Sequence, residues 1–171
     1  MTNQKPLKVL LVEDNPADAK FIGKLLRRGT TRLLQLVSVE TLAETIETVA
    51  SQSFDAILLD LNLPDSCGLE TLRQTHEISG EVPIVVFTGL DDEATAIAAL
   101  REGAQDYLVK GNVQAEWLLR SMRYAIERKQ TLTRLQATEA ALKQQLAREQ
   151  LLGRIAERIH RSLDLCEILR E

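Results

Sequence analysis

Phe54 to Leu69 reads FDAILLDLNLPDSCGL, and the interpretation of this stretch decides the fold. Ala56 to Leu59, with Phe54 ahead of them, form an apolar run that stops abruptly at an acid, Asp60. A run with no polar alternation suits a strand covered on both faces, as in a parallel sheet. Such a strand delivers the Asp60 carboxylate to its own C-terminal end, where open α/β sheets gather their ligands. Taken alone, Asp60 reads equally well as a turn or cap residue, so the rest of the chain has to decide.

The chain of 171 residues is 44% hydrophobic and 27% charged, with a net charge of −4. That is enough for one ordinary domain and an extra element. Mild acidity gives no reason to expect nucleic acid, and four Pro and eight Gly argue against a disordered chain. No apolar run approaches the roughly 18 residues of a membrane span, and the N-terminus, MTNQKPLK, lacks the apolar centre of a signal peptide. A cytoplasmic protein with no membrane partner is expected. Cys67 and Cys166 lie far apart and lack metal-ligand spacing, so both are expected as free thiols. Nearly all Gly and Pro fall before Asn112, and the remainder is rich in Ala, Leu, Gln, Glu and Arg. That shift divides a globular domain, residues 1–111, from a long helix.

Lys8 to Val12 forms a second apolar strand and also ends in acids, Glu13 and Asp14. Asn15-Pro16 starts a helix, with Phe21, Ile22, Leu25 and Leu26 as its apolar stripe and Gly29 at its close. Leu34 to Val39 is a strand, and Thr41 to Ser51 a helix opened by a Thr41/Glu44 capping box. Gly68 to Ile78 is helical, with Leu69, Leu72 and Ile78 inward and Gly80 as the stop. Val82 to Phe87 is a fourth main strand, ending in Thr88-Gly89. Asp91 caps a helix through Ala94, Ile97, Ala98 and Leu100 to Gly103, and Tyr107 to Val109 is a short strand ending in Lys110-Gly111. Five βα units with short connections imply right-handed crossovers and an α/β, doubly wound five-stranded parallel sheet with a long C-terminal helix.

Strands that all point one way bring their ends together, so Glu13, Asp14, Asp60, Thr88 and Lys110 converge on one rim. Three neighbouring carboxylates repel unless protonated or bridged by a cation. An all-oxygen site with few protein ligands suits Mg²⁺, which keeps several waters and completes its shell with phosphate oxygens. A carboxylate can also accept a phosphoryl group, whose oxygens a metal, Lys110 and the Thr88 hydroxyl would neutralise. The rim reads as an aspartyl-phosphate site.

With LLVEDN, LLDLNLPDSCGLE, VVFTG and DYLVKG in this order and at these strand ends, residues 7 to 128 resemble a response-regulator receiver domain of two-component signalling. The resemblance implies the flavodoxin-like receiver fold, with Asp60 as phosphoacceptor and Mg²⁺ held by Glu13, Asp14, Asp60 and the backbone carbonyl of Asn62. It makes Thr88 and Lys110 contacts of the phosphoryl group and Tyr107 an aromatic switch that follows Thr88. It implies a histidine kinase or phosphotransfer protein as donor. The only chemistry expected is self-phosphorylation and slow loss of the acyl phosphate, so the chain is not an enzyme in the metabolic sense. One departure is Gly111, where the family commonly has Pro; without Pro a cis peptide there costs about 2.5–4 kcal/mol. Haloacid-dehalogenase-type phosphatases fit less well, because Asn62 stands where they have a second Asp. Nucleotide-binding folds fit no better, since Glu13-Asp14-Asn15-Pro16 is the opposite of an anion cradle. Cys67 reads as an incidental loop thiol and His76 as a solvated helix residue.

From Asn112 a helix is expected with no stop before Gly153; Trp117, Leu118, Met122, Ala125 and Ile126 give it a face for the sheet. Leu132, Leu135, Leu142 and Leu146 then follow 3,4 spacing, with Glu139 at an intervening core position, which suits a two-stranded parallel coiled coil and hence a homodimer. The register slips near Glu149 to Gly153. At about 1.5 Å per residue the helix would span roughly 75 Å, too long to stand without a partner. The arginines and lysine at 120, 123, 128, 129 and 134 interleave with the packing face and read as solvated rather than as a DNA-binding region. His160 is followed by Arg161, where a kinase phosphoacceptor site usually has an acid. Leu151 to Leu169 instead resembles the opening helix of a GAF domain. Residues 112–150 are therefore taken as the last receiver helix running into a coiled-coil linker, and 151–171 as the start of a GAF-like domain with its output beyond. The alternative function is a constitutive dimerisation module with a vestigial acidic site.

Overall fold

The computed structural model describes residues 6–29, 34–111 and 114–168, without the side chains of 115 and 156–168. The elements run β1 (Leu7–Val12), α1 (Pro16–Gly29), β2 (Leu34–Val39), α2 (Leu42–Ser51), β3 (Ala56–Leu59), β4 (Asn62–Leu63), β5 (Ser66–Cys67), α3 (Leu69–Ser79), β6 (Ile84–Thr88), α4 (Glu93–Arg101), β7 (Asp106–Val109) and α5 (Ala115–Ile168). Five strands form one parallel sheet in the order β2-β1-β3-β6-β7, as the apolar runs imply. β4 and β5 form a small antiparallel hairpin around Pro64-Asp65, in a stretch whose polar, turn-forming residues gave no strand signal.

Strand residues alternate between two cores. Val9, Leu11, Ala56, Leu58, Val85 and Phe87 pack with Ile22 and Leu26 of α1 and with Leu118, Met122, Ala125 and Ile126 of α5. Leu10, Val12, Ile57, Leu59, Ile84 and Val86 pack on the other face with Leu42, Leu72 and Ala99. Burial on both faces is why the central strands carry no polar alternation.

Several expected core positions lie outside. Phe21 is exposed because Ala19, Ile22 and Leu26, at steps of three and four, centre the inward face of α1 and turn Phe21 away from it. Ile78 is also exposed; α3 instead buries Thr71, Leu72, Thr75 and Ser79. The hydroxyls of Thr75 and Ser79 bond to the carbonyls of Thr71 and His76 (2.7 and 3.4 Å), so they enter the core already satisfied. On α4 only Ala99 is buried, leaving Ile97 and Leu100 exposed, and Trp117 on α5 is 65% exposed.

Helix ends differ by one residue from expectation. Asp92, not Asp91, caps α4: its Oδ2 accepts from the Thr95 amide at 2.8 Å. Thr41 caps α2 as expected, accepting from the Glu44 amide at 3.1 Å, but Glu44 reaches the amide of Glu40 rather than that of Thr41. β6 begins at Ile84 rather than Val82, whose amide closes a turn onto the Ser79 carbonyl.

Residues up to Lys129 and residues from Gln130 onward form two compact units. In the second, α5 continues through Gly153 without a turn, and Leu132, Leu135, Leu142, Leu146, Leu151, Leu152 and Ile155 are exposed. Glu139 pairs with Lys143 at 2.7 Å along the same helix. Asn112, where the helix was expected to start, lies outside the described residues, as do the side chains of His160 and Cys166. Cys67 is an exposed free thiol.

Candidate functional site

The ladder of the sheet continues past the strand ends and fixes the rim. The amide of Glu13 donates to the Val39 carbonyl (3.0 Å), that of Asp60 to Val12 (2.9 Å), and that of Lys110 to Thr88 (2.7 Å). Each acid or base is thereby held by its neighbouring strand rather than by a free loop. Carboxylate oxygens of Glu13, Asp14 and Asp60 all lie within 4.8 Å of one another; Asp14 is exposed, the other two buried. This donor set of closely grouped hard oxygens fits a small divalent cation such as Mg²⁺.

Lys110 reaches into the cluster from the end of β7. Its ammonium lies 2.5 Å from Glu13 Oε2 and 2.6 Å from Asp60 Oδ2. The amide of Asn62 donates to Asp60 Oδ1 at 3.2 Å, and that of Asn15 to Glu13 Oε1 at 3.2 Å, so both carboxylates are oriented at both oxygens. Burial pushes the Glu13 carboxyl above the ordinary range, and the Asp60 charge adds to this; Lys110 pulls the other way without prevailing. For Lys110 burial works against the charged form, but hydrogen bonds and charges from Asp60 and Glu13 outweigh it and hold the ammonium well above the ordinary lysine range.

Thr88 is buried at the end of β6, next to Val109 in the register, and its hydroxyl accepts from the Leu90 amide at 3.5 Å. The carbonyl of Leu90 accepts from the Tyr107 hydroxyl at 2.8 Å, so Thr88, Leu90 and Tyr107 form one hydrogen-bonded series. Burial raises the Tyr107 phenol above its ordinary value, with the charges of Asp92, Asp91 and Asp60 adding to it. Lys110-Gly111 is a trans peptide, and Gly111 takes φ +95°.

Two residues of this region were not singled out from the sequence. Asp18, in the first turn of α1, sits 3.2 Å from the Lys110 ammonium. Its signal was available: a helix starting two residues after the strand-end acids aims its first turn at the rim, and acids favour that turn. Asp65, in the hairpin after β3, accepts from the amides of Leu42 and Ala43 at 2.9 Å each and so caps α2 from a distant segment. No local pattern in the sequence announces such a contact. His76 is exposed as expected, although its ring lies over Gly103.

The family model of the response regulator receiver domain matches residues 9–123. The nitrate/nitrite response regulator NarL of Escherichia coli K12 is 36% identical over 132 residues, covering 73% of this chain and 57% of NarL. KdpE, a KDP operon transcriptional regulatory protein of the same organism, is 38% identical over 111 residues, covering 63% of this chain and 48% of KdpE. The chain thus spans about half the length of these curated relatives. Among solved structures, a Clostridium thermocellum receiver domain superposes with a TM-score of 0.64 at 28% identity, over 74% of this chain and 98% of that one. The receiver domain of a Pseudomonas aeruginosa sensor histidine kinase gives 0.61 at 28% identity, over 72% and 99%, and is described with a magnesium ion coordinated in its active site cleft.

Proposed function

The chain belongs to the response regulator receiver domain family, and on that premise we propose that Asp60 accepts a phosphoryl group from a histidine kinase or phosphotransfer protein in a Mg²⁺-dependent reaction. The observation that carries this reading is the Asp60 carboxylate itself. It stands at the end of the central strand, one oxygen on the Lys110 ammonium and the other on the Asn62 amide, beside Glu13 and Asp14.

Glu13, Asp14, Asp60 and the Asn62 carbonyl would hold the ion. When bound, Mg²⁺ supplies positive charge shared between these oxygens and the phosphoryl group. Lys110 neutralises a phosphoryl oxygen, and the Asn62 amide keeps Asp60 turned toward the donor. Thr88 gives up its contact with the Leu90 amide when its hydroxyl turns to the phosphoryl group, and Tyr107 follows through its bond to the Leu90 carbonyl. The change passes to α5, which packs on the same sheet within the receiver. The acyl phosphate is a timed signal, and the chain performs no metabolic conversion.

For the remainder, we read 1–111 as receiver core, 112–150 as receiver helix and coiled-coil linker, and 151–171 as the opening of a GAF-like domain. Exposed leucines at 3,4 spacing support a parallel homodimer that passes the signal to an output domain. The setting proposed is cytoplasmic; separately, no helix among the described residues is long and apolar enough to cross a membrane. Incubation with acetyl phosphate and Mg²⁺ tests the central point by intact-protein mass: addition of one phosphoryl group, absent in Asp60→Asn, is expected. No addition to the parent chain would leave a dimerisation module with a vestigial acidic site.

A further inference from the structure

We propose that Asp18 is a placeholder for the phosphoryl group: its carboxylate pairs with the Lys110 ammonium that a phosphoryl oxygen on Asp60 needs, and so works against phosphorylation. The inference rests on the phosphoacceptor reading and concerns regulation of that same site. A lysine ammonium has three N–H donors and no more. Three carboxylates stand around Lys110, at 2.5 Å (Glu13), 2.6 Å (Asp60) and 3.2 Å (Asp18). The ammonium is hydrogen-bonded to Asp60 and shares its charge among all three carboxylates. A phosphoryl oxygen on Asp60 competes with the other carboxylates for that ammonium.

Asp18 is the one to leave. Its side chain is 40% exposed, against 1% for Glu13 and 7% for Asp60, so water can satisfy it after release at small cost. Its contact is the longest of the three. Glu13 is also held by the Asn15 amide and Asp60 by that of Asn62, whereas Asp18 sits on the first turn of α1, where a free carboxylate is favourably placed. In the transfer, the bond between phosphorus and the donor oxygen of acetyl phosphate breaks. A new bond forms from phosphorus to an Asp60 carboxylate oxygen, and acetate leaves with the electron pair. The total negative charge is unchanged, but the charge carried at Asp60, beside Asp18, rises from one to two.

The test compares the full chain with Asp18→Asn and Asp18→Glu at saturating Mg²⁺, following acetyl phosphate labelling by intact-protein mass. Removing a half-exposed unit charge beside the acceptor should speed labelling about three- to tenfold in Asp18→Asn. Asp18→Glu, which keeps the charge, should return the rate toward that of the parent. In the metal-free chain, NMR should show the Lys110 ammonium protons exchanging with water faster in Asp18→Asn, because one of its three anionic partners loses its charge. Unchanged or slower labelling in Asp18→Asn, with the parent labelled normally, overturns the placeholder. Slower labelling would make Asp18 a residue that holds Lys110 in its productive place. A parent that takes no phosphoryl group at Asp60 sinks the phosphoacceptor reading and the placeholder with it. Should Asp18→Asn melt early, Asp18→Ser carries the same comparison.

Discussion

Replacing Lys110 by Met removes the cation paired with Glu13 and Asp60 while keeping the bulk of the side chain. Both acids are almost wholly covered, so each loses its partner without gaining water. Breaking a buried ion pair in this way costs about 3–5 kcal/mol. The Asp18 contact is half exposed and adds about 0–1 kcal/mol at most, and Lys110 is itself partly exposed, so a loss of about 3 kcal/mol at pH 8 is expected. The loss should shrink in acid. Glu13 already stands above its ordinary value of 4.5 through burial, and without Lys110 two of the three influences that restrain it disappear, leaving the Asn15 amide. An acid with a raised native-state pKa favours the folded chain below its unfolded value and loses that advantage as pH rises through its folded value. Lys110→Met should therefore lie closer to the parent at pH 5 than at pH 8, by about 1–2 kcal/mol. Mg²⁺ at millimolar concentration should recover part of the difference at pH 8. Urea denaturation followed by circular dichroism at pH 5, 6.5 and 8 measures all three effects. A loss under about 1 kcal/mol at pH 8, constant down to pH 5, would refute the claim that Lys110 neutralises this cluster.

Three further outcomes are expected. Asp65→Ala should destabilise the receiver by about 1–2 kcal/mol, because it uncaps two amides of α2 at once, and urea denaturation reads this directly. The Leu42 amide chiefly holds the Asp65 carboxyl below its usual range, so this stabilisation is present above the unfolded pKa and fades as pH falls through the folded value. Gly103→Ala should also destabilise, by about 1–2 kcal/mol, since φ is +105° and a Cβ would meet His76 Nε2 at 2.8 Å. His76→Ala should relieve only the steric share, which a double-mutant cycle in the same assay isolates. Leu142→Asp should shift sedimentation of the full chain from dimer toward monomer while leaving acetyl phosphate labelling of Asp60 intact. A parent that sediments as a monomer at all concentrations would remove the coiled coil.

The sheet was legible because its central strands are buried on both faces, and because they and the edge strand β7 stop at chemically distinctive residues. VLLVED, AILLD, IVVFT and YLVK announce both the strand and the rim, and Glu13, Asp60 and Lys110 meet within 2.6 Å of one another's polar atoms through Lys110. The helices were less legible in detail. Counting apolar residues placed Phe21, Ile78, Ile97, Leu100 and Trp117 inside, whereas α3 turns hydroxyls inward that satisfy themselves on its own backbone. Long-range capping by Asp65 was invisible for another reason: it joins segments whose local patterns are complete without it. Asp18, the third partner of Lys110, was legible in principle from its place in the first turn of α1.

Gly111 gives the ion cluster a second purpose. A proline after Lys110 would fix φ near −65°, whereas Gly111 takes φ +95°, a value that proline cannot adopt. Glycine also leaves the chain freer than any other residue, so the backbone after Lys110 restrains the lysine little. Its position must then be set from other points. At the base, the Lys110 amide is held by the Thr88 carbonyl at 2.7 Å. At the tip, three carboxylates share the ammonium. The acids that repel one another in the absence of a cation are therefore the same groups that keep the cation in place, and a charge added at Asp60 acts on a lysine whose aim depends on those partners.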